Sequence, residues 1–512
     1  MSSGRLLARA AALALVFAAP AAAQFDPAKI PAQSPGMAAH FPEPAVDYRT
    51  PSFVPGRQDF TSHREMMAFL EGLAAADPRV ELLTAGTSQS GRAIPALVFG
   101  SASSGPTILI IGLQHGNEPA GGEAALVIAD RLARGDLAPL LERLRIVIVP
   151  RANPDGAEAS RRVTDNGLDV NRDHTLQRSP EGQALGRLFV AFAPDIVIDA
   201  HEFTVGGRWE RNFGGLARPD ILVQYAMTGN LAASVTAAQD RLYREAIVPA
   251  LERAGLANDW YFTSDPAQPR FVSMGGILAD TSRNVAGLRG AVSFLFETRG
   301  AGIGRTNWNR RVFAHVVAME AVLRAAARRP AAAPPAESET VILAEQTVEL
   351  RTLVFLDPAS GAEKPTEVQW RSSLTIRPTL VRPRAAGYLL APDAESVAAR
   401  LIHLGVHVER LPVATRLVVE TYRTLALSRG AKQDVRGDDK GAGEIVKGSF
   451  ATDRAEVEVP AGTFYVPTAQ PLGALAAIVL EPESPVGYVA NGVVPVGPGD
   501  SVPIRRALEA PR

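Results

Sequence analysis

Short runs that are almost entirely apolar constrain the fold of this chain more than any other feature. Three of them are Thr107 to Gly112, Ile196 to Asp199 and Val292 to Phe296. Strands of this kind need cover on both faces, whereas a half-exposed strand alternates apolar and polar residues. Helical patterns separate the runs, and the first begins at the capping-box pair Ser62 and Glu65. The sequence therefore predicts an α/β fold with a mixed, largely parallel sheet covered by helices.

Changes in composition and in the pattern of polar and apolar residues along the chain predict its domain organisation. Arg5 and Arg9 precede a short apolar run and a cluster of small residues, which is typical of a cleaved export signal. From about Glu339 onward polar and apolar residues alternate, which indicates a smaller mixed or mainly β domain. The predicted segments are a signal peptide at 1–23, an extended lead-in at 24–60, a first domain at 61–325, an Ala- and Pro-rich linker at 326–339, and a C-terminal domain at 340–512.

Composition excludes several partners and chemistries. The chain has no Cys, so it has no disulfide, no thiolate nucleophile and no Cys-ligated metal. Its 53 Lys and Arg residues against 54 Asp and Glu residues leave no surplus of positive charge, and binding to nucleic acid or to an anionic membrane needs such a surplus. No later stretch has the length and apolarity of a membrane span. We expect an exported protein, periplasmic or secreted, from a bacterial envelope.

Polar residues with metal-binding side chains follow two of the apolar runs. The segment His115 to Glu118 follows the run that ends near Gly112, and the segment Asp199 to Glu202, which contains His201, directly follows Ile198. Sites of α/β sheets lie at the carboxyl ends of the strands, so these side chains are expected to meet. Two imidazoles and one carboxylate would leave a fourth position open, as in a catalytic zinc site. The simpler alternative for His115 and Glu118 alone is a pair of hydrogen-bonded loop residues.

Two further segments fit the same kind of chemistry. Asn153-Pro-Asp-Gly156 leads to Arg162, Asn171 and Arg172, and Glu297 follows an apolar strand. The Arg guanidinium can bind a planar carboxylate through two parallel hydrogen bonds, and near a metal it can stabilise a developing oxyanion. Partial burial would raise the proton affinity of Glu297, as a general base requires. The alternatives are a solvated Arg-rich loop and a strand-end ion pair between Glu297 and a neighbouring Arg.

Taken together and in this order, these segments resemble the zinc carboxypeptidase family, the M14-type metallopeptidases. The upstream segment Gly86 to Arg92 also resembles that family's early strand-turn element, and the resemblance covers roughly residues 45 to 325. It implies a zinc carboxypeptidase-like catalytic domain over residues 61–325 and one zinc ion per chain. The implied roles are zinc ligation by His115, Glu118 and His201, general base catalysis by Glu297, oxyanion stabilisation by Arg162, and binding of the substrate's terminal carboxylate by Asn171 and Arg172.

The resemblance implies a metallocarboxypeptidase that hydrolyses the C-terminal peptide bond of peptides. Digestive members of the family carry a Tyr on a mobile loop, and alignment on Gly275 and Gly276 places Phe271 there. The Tyr hydroxyl is then expected to be missing, although the core reaction does not depend on it. The short interval from Glu118 to His201 favours an open cleft, which could admit peptides of the cell wall. The C-terminal domain has no group of potential catalytic or metal-binding residues of its own. We therefore interpret it as an accessory domain that shapes the cleft or binds the envelope.

The same residues could also belong to a zinc amidase or deacylase, a serine hydrolase or an inactive binding module. A zinc amidase or deacylase, acting on peptidoglycan peptides or N-acyl amino acids, would share the zinc ligands, but Asn171 and Arg172 favour a substrate with a free carboxylate. A serine hydrolase is disfavoured because the segment Gly86 to Ser90 lacks the closing Gly of a nucleophile elbow. A catalytically inactive binding module is disfavoured because every catalytic residue type is present.

Overall fold

The computed structural model describes residues 30, 32–101, 105–265, 267–328, 339–438 and 443–511. The predicted signal peptide at 1–23 lies outside the described residues, as does most of the predicted linker. Within the described ranges, no helix combines the length and the apolarity needed to span a membrane.

An eight-stranded mixed sheet forms the centre of the molecule, and it confirms the predicted fold class. Its middle strands pair in parallel and are buried on both faces, as their continuous apolar sequences require. Antiparallel pairs flank this parallel centre. In spatial order the strands are Val80–Thr87, Ala93–Phe99, Arg145–Val149, Thr107–Gly112, Ile196–Thr204, Val292–Ala301, Ile221–Tyr225 and Asn258–Trp260.

Helices cover the central sheet. Ser62 and Glu65 form the predicted capping box at the start of the first long helix. The helix Pro119–Arg134 is buried almost throughout because it lies between the sheet and the helix Trp308–Ala326. Gly121 lets it approach the sheet closely, since a Cβ there would lie 2.7 Å from the Cβ of Ala200. The longer helices are His63–Ala76, Pro119–Arg134, Pro180–Phe192, Ala233–Leu242, Ser282–Leu288 and Trp308–Ala326, and the shorter ones are Pro35–His40, Pro154–Glu158, Arg208–Phe213 and Val248–Arg253.

Two further sheets contain most of the C-terminal residues. One has five strands, Leu216–Ala217, Glu339–Leu356, Glu363–Pro383, Phe271–Met274 and Phe262–Thr263. The other has six, Glu409–Arg410, Phe464–Pro467, Gly387–Leu390, Ser501–Ala507, Thr415–Ala431 and Glu444–Val459. The helices Glu395–His403 and Gly473–Leu480 accompany them.

The C-terminal region is joined to the first part of the chain by strand pairing. Phe271–Met274 pairs in parallel with Glu363–Pro383, and Leu216–Ala217 pairs with Glu339–Leu356. A short hairpin, made of Gln433–Asp434 and Gly437–Asp438, lies between the long strands Thr415–Ala431 and Glu444–Val459. The predicted domain boundaries stay a prediction, but the five-stranded sheet combines strands from both sides of the predicted linker at 326–339.

Candidate active site

Three potential metal ligands meet at the carboxyl end of the central sheet. His201 belongs to the strand Ile196–Thr204, His115 lies in the loop after Thr107–Gly112, and Glu118 is the residue immediately before the helix Pro119–Arg134. All three are buried. The Oε2 atom of Glu118 lies 2.9 Å from Nδ1 of His115 and 2.8 Å from Nδ1 of His201, and the two Nδ1 atoms are 2.9 Å apart.

The other ring nitrogens explain why the Nδ1 atoms face each other. Nε2 of His115 lies 3.1 Å from the Asp169 carboxylate, and Nε2 of His201 lies 2.8 Å from the Asp199 carboxylate. A carboxylate partner holds the proton on Nε2 and leaves the Nδ1 lone pair available. Two lone pairs and a carboxylate oxygen then converge on one point, an arrangement that suits a cation. The set of two nitrogens and one oxygen matches a zinc site with an open position.

The two carboxylates behind the histidines are held in their ionised form. Burial opposes ionisation of Asp169, but Arg162 and His115 hold the pKa of its carboxyl well below the usual range. Burial likewise opposes ionisation of Asp199, and His201 together with a hydrogen bond from Gln114 lowers the pKa of that carboxyl. No sequence pattern assigned a role to either residue.

Glu297 lies beside the potential metal ligands. It is opposite His201 in the register between Val292–Ala301 and Ile196–Thr204. Burial, followed by the negative charge of Glu118, raises the pKa of Glu297 to about 8. The alternative of an ion pair with Arg299 is not formed, because the Arg299 guanidinium lies over the Phe41 ring, 3.3 Å from its centroid. Glu297 therefore keeps a raised proton affinity, as a general base needs.

The structure brings the remaining predicted residues to the same place. Arg162 binds the Asp169 carboxylate at 2.9 Å and remains partly exposed. The Asn171 side chain is engaged by the protein itself: its Nδ2 donates to Asp199 at 3.2 Å, and its Oδ1 accepts from the Ser282 backbone at 2.8 Å. The residues that line a common cavity of about 660 Å³ include His115, Glu118, Arg162, Asn171, Arg172 and Glu297.

The cavity also contains residues that sequence reasoning missed. Phe271 is not among the cavity-lining residues, and its ring packs against the Arg371 guanidinium, 4.1 Å from the ring centroid. Tyr261 lines the cavity instead, and burial, followed by the charge of Glu297, raises the pKa of its phenol to about 12. The alignment on Gly275 and Gly276 was therefore wrong about the absence of a hydroxyl, because Tyr261 enters from a preceding strand connection.

Arg283 is a second cavity residue that no sequence pattern had indicated. Its side chain lines the cavity, is buried, and donates to the Gly276 carbonyl at 2.6 Å. Among the described residues, no carboxylate lies within salt-bridge distance of Arg283, and burial lowers the pKa of its guanidinium to about 10. A buried cation without a counterion is costly and makes the cavity attractive to an anionic group.

The C-terminal region contributes part of the cavity wall. Asp434 of the short hairpin accepts a hydrogen bond from Nη2 of Arg172 at 2.8 Å, and Arg436 pairs with the same carboxylate at 2.8 Å. Lys432 forms a buried ion pair with Asp280 of the first part of the chain. The C-terminal region therefore shapes the cleft directly.

Comparison with known proteins indicates the same chemistry. Residues 66–215 match the model of the zinc carboxypeptidase family, a range that contains His115, Glu118 and His201. The chain is 28% identical over 480 residues to carboxypeptidase 2 of Trichophyton rubrum, which covers 89% of this chain and 88% of that protein. It is also 31% identical over 147 residues to human carboxypeptidase D, covering 25% of this chain and 11% of that protein.

The chain is also similar to solved structures. The carboxypeptidase A of Helicoverpa armigera has a TM-score of 0.42 and 15% identity, covering 55% of this chain and 78% of that one. A metallo-carboxypeptidase from Burkholderia cenocepacia has a TM-score of 0.38 and 21% identity, covering 51% of this chain and 68% of that one.

Proposed function

We propose that this chain, whose residues 66–215 match the zinc carboxypeptidase family, removes single residues from the carboxyl end of peptides, with Glu297 as the general base. It is a metallocarboxypeptidase, and the observation that carries the finer proposal is the position of Glu297. This buried carboxylate has a raised pKa and lies next to the three converging ligand atoms in a cavity large enough for a peptide end.

His115, Glu118 and His201 would hold the zinc ion through Nδ1, a carboxylate oxygen and Nδ1. When bound there, zinc lowers the pKa of a water molecule to about 7 and withdraws electron density from a carbonyl oxygen. Asp169 and Asp199 orient the two imidazoles, so the protein holds the ligand atoms together before the metal arrives.

Glu297 moves the proton. In its ionised form it accepts a proton from the attacking water as the water oxygen forms a bond to the scissile carbonyl carbon. It then donates that proton to the nitrogen of the leaving residue as the peptide bond breaks. Burial raises the pKa of Glu297 toward neutrality, so it can both take up and release a proton near neutral pH.

Arg162 and Arg172 supply positive charge at two different points of the substrate. Arg162 remains partly exposed beside Glu118, with 3.4 Å between Nη1 and Oε1, and there it stabilises the oxyanion that develops on the carbonyl. Arg172 binds the terminal carboxylate and so places the last peptide bond at the reacting centre. The Asn171 amide keeps Asp199 in place. Because Asn171 also lines the cavity, it borders the terminal carboxylate of the substrate.

The location of the protein is part of the same proposal. The residues 1–23 have the charge and apolarity of an export signal, and they are the only support for placing the enzyme in a bacterial periplasm or outside the cell. Peptides or peptidoglycan-derived peptides would be the substrates available there.

A peptide library with free and amidated carboxyl ends tests the function. Full-length zinc-loaded protein should release single residues from free ends only, as followed by mass spectrometry. Glu297→Gln should abolish release, whereas Glu345→Gln, an exposed carboxylate at the cavity rim paired with Arg377, should retain it. Absence of peptide cleavage, together with hydrolysis of peptidoglycan fragments or N-acyl amino acids, would instead establish the amidase or deacylase function.

A further inference from the structure

A buried ion pair at the cavity wall joins the two halves of the chain. Asp280 lines the cavity, and its carboxylate pairs with the ammonium group of Lys432, the residue immediately before the short hairpin. Both side chains are only 2% exposed. Among the residues that the structure describes, Lys432 is the one cation within salt-bridge distance of Asp280. The C-terminal region therefore compensates the negative charge that Asp280 brings to the cavity.

Lys432 reaches the Asp280 carboxylate from behind the cavity wall. Asp280 is one of the cavity-lining residues, whereas Lys432 is not. The ion pair therefore neutralises this part of the wall without filling the cavity. A buried carboxylate that has lost its partner is costly and attracts another cation. Without Lys432, the cavity would offer Asp280 to a positively charged group of the substrate.

Asp280 lies on the same side of the cavity as Asn171. The backbone N–H of Ser282, two residues after Asp280, donates to Oδ1 of Asn171 at 2.8 Å. In the proposed function, Asn171 borders the terminal carboxylate of the peptide. The side chain of that last residue then lies within reach of Asp280.

The wall around the ion pair is apolar. Ile277 and Leu278, which closely precede Asp280 in the sequence, line the cavity, and so does Val435 of the short hairpin. A Cβ at Gly276 would lie 3.6 Å from Cγ1 of Val435, so the hairpin packs against this segment. An ammonium group entering such a place would lose its water without gaining a counterion, whereas an apolar side chain would lose nothing of the kind.

We propose that Lys432 is a specificity-determining residue: by neutralising Asp280, it makes the cavity select peptides that end in an apolar residue and reject those that end in Lys or Arg. This inference rests on the proposed function. Lys432 acts through Asp280 and does not touch the substrate, so the C-terminal region contributes to the choice of substrate from behind the cavity wall.

Binding to the full-length, zinc-loaded Glu297→Gln protein tests the proposal without hydrolysis. The probes are N-acetyl-glycyl-leucine and N-acetyl-glycyl-lysine, both with free carboxyl ends, measured by titration calorimetry. The leucine peptide should bind more tightly, and tighter binding of the lysine peptide would overturn the proposal. Adding Lys432→Met should raise the affinity for the lysine peptide relative to the leucine peptide by about 10- to 100-fold, the usual effect of a hydrogen bond to a charged group.

Further variants at the ion pair separate this role from a structural one. Lys432→Arg keeps the positive charge and should keep the preference for leucine. Lys432→Gln can still donate a hydrogen bond to Asp280, so it should fold even if Lys432→Met does not, and it should shift the preference in the same direction. Adding Asp280→Asn to Lys432→Met should restore the preference for leucine, because no buried charge remains.

Lys447→Met provides the matched control. Lys447 is an exposed residue on the strand that follows the short hairpin, and it does not line the cavity, so the same substitution there should change neither affinity. An unchanged ratio of the two affinities in the Lys432→Met and Lys432→Gln proteins would overturn the proposal. Equal weakening for both peptides would also overturn it, because a purely structural role would not distinguish them.

Failure of the proposed function would appear in a different measurement. A wild-type protein that does not hydrolyse peptides, while Lys432→Met still shifts the binding preference toward lysine, would refute the peptidase function and support the role of Lys432. Hydrolysis by the wild type, with a binding preference that is insensitive to Lys432→Met, would do the reverse.

Discussion

Replacing Asp199 by Asn removes the carboxylate behind His201 while keeping the shape of the side chain. In the wild type, the Asp199 Oδ1 atom lies 2.8 Å from Nε2 of His201, and both side chains are 1% exposed. Gln114 donates to the same oxygen at 2.7 Å, and Asn171 donates to the other oxygen at 3.2 Å. The asparagine has one acceptor oxygen for these three donors, so the His201 ring loses its charged partner and its fixed orientation.

The expected consequence is weaker zinc binding. Loss of a partner that orients a metal-bound histidine usually lowers metal affinity by about 10- to 100-fold, which corresponds to about 1.4–2.7 kcal/mol. Burial of the pair places Asp199→Asn toward the upper end of that range, because water cannot replace the missing carboxylate. Competition with a chromophoric zinc chelator at constant pH measures the dissociation constant directly.

Asp220→Asn is the matched control for this experiment. Asp220 is also a buried carboxylate, but it pairs with Arg310 at 2.7 Å and belongs to no ligand cluster. The control should lower the melting temperature and leave zinc affinity unchanged. A zinc affinity of the Asp199→Asn protein within twofold of the wild type would refute the argument that this carboxylate orients His201.

Three other substitutions have distinct expected outcomes. Arg311→Met should lower the free energy of unfolding by about 3–5 kcal/mol, because it leaves the buried Glu202 carboxylate without its ion pair at 2.6 Å; a denaturation series should show partial recovery when Glu202→Gln is added, and a loss below about 1 kcal/mol would contradict this. In zinc-free protein, Glu297→Gln should raise stability at about pH 9 and leave it unchanged at about pH 4. The reason is that the pKa of Glu297, raised from 4.5 to about 8 in the folded state, makes the wild type lose stability as the pH rises through this range. Equal melting temperatures of the variant and the wild type at both pH values would contradict this reasoning. Arg283→Met should keep or raise the melting temperature while raising KM for free-acid peptides, because it replaces a buried cation that has no carboxylate partner among the residues that the structure describes; a large fall in melting temperature would show that Arg283 stabilises the fold instead.

Local sequence patterns predicted the framework of the site well. The run Thr107–Gly112 was predicted with the bounds that the structure has, and the capping box at Ser62 was also confirmed. Both depend on interactions between residues close in sequence or on burial that a continuous apolar run requires. The comparisons support the predicted resemblance to zinc carboxypeptidases, and the three predicted ligands meet in a cluster that could hold a metal ion. The individual site roles stay predictions that the geometry makes testable.

The position of Tyr261 shows where local patterns stop being informative. Phe271 was placed by its spacing from Gly275 and Gly276, which assumes a fixed path for the chain between them and the cavity. The structure instead pairs Phe271–Met274 with a C-terminal strand, Glu363–Pro383. Pairing between residues about a hundred positions apart directs the Phe271 ring onto Arg371 and leaves Tyr261 in the cavity.

By itself, the sequence determined which residues could carry the chemistry. Parallel strands bring their carboxyl ends to one edge, so His115, just after one strand, and His201, toward the carboxyl end of its neighbour, lie at the same edge. Only the tertiary structure decided the partners that lie far away in sequence: Asp169 behind His115, and Asp434 of the short C-terminal hairpin against Arg172. Those partners depend on long-range packing of segments from both halves of the chain, and no spacing within the sequence encodes such contacts.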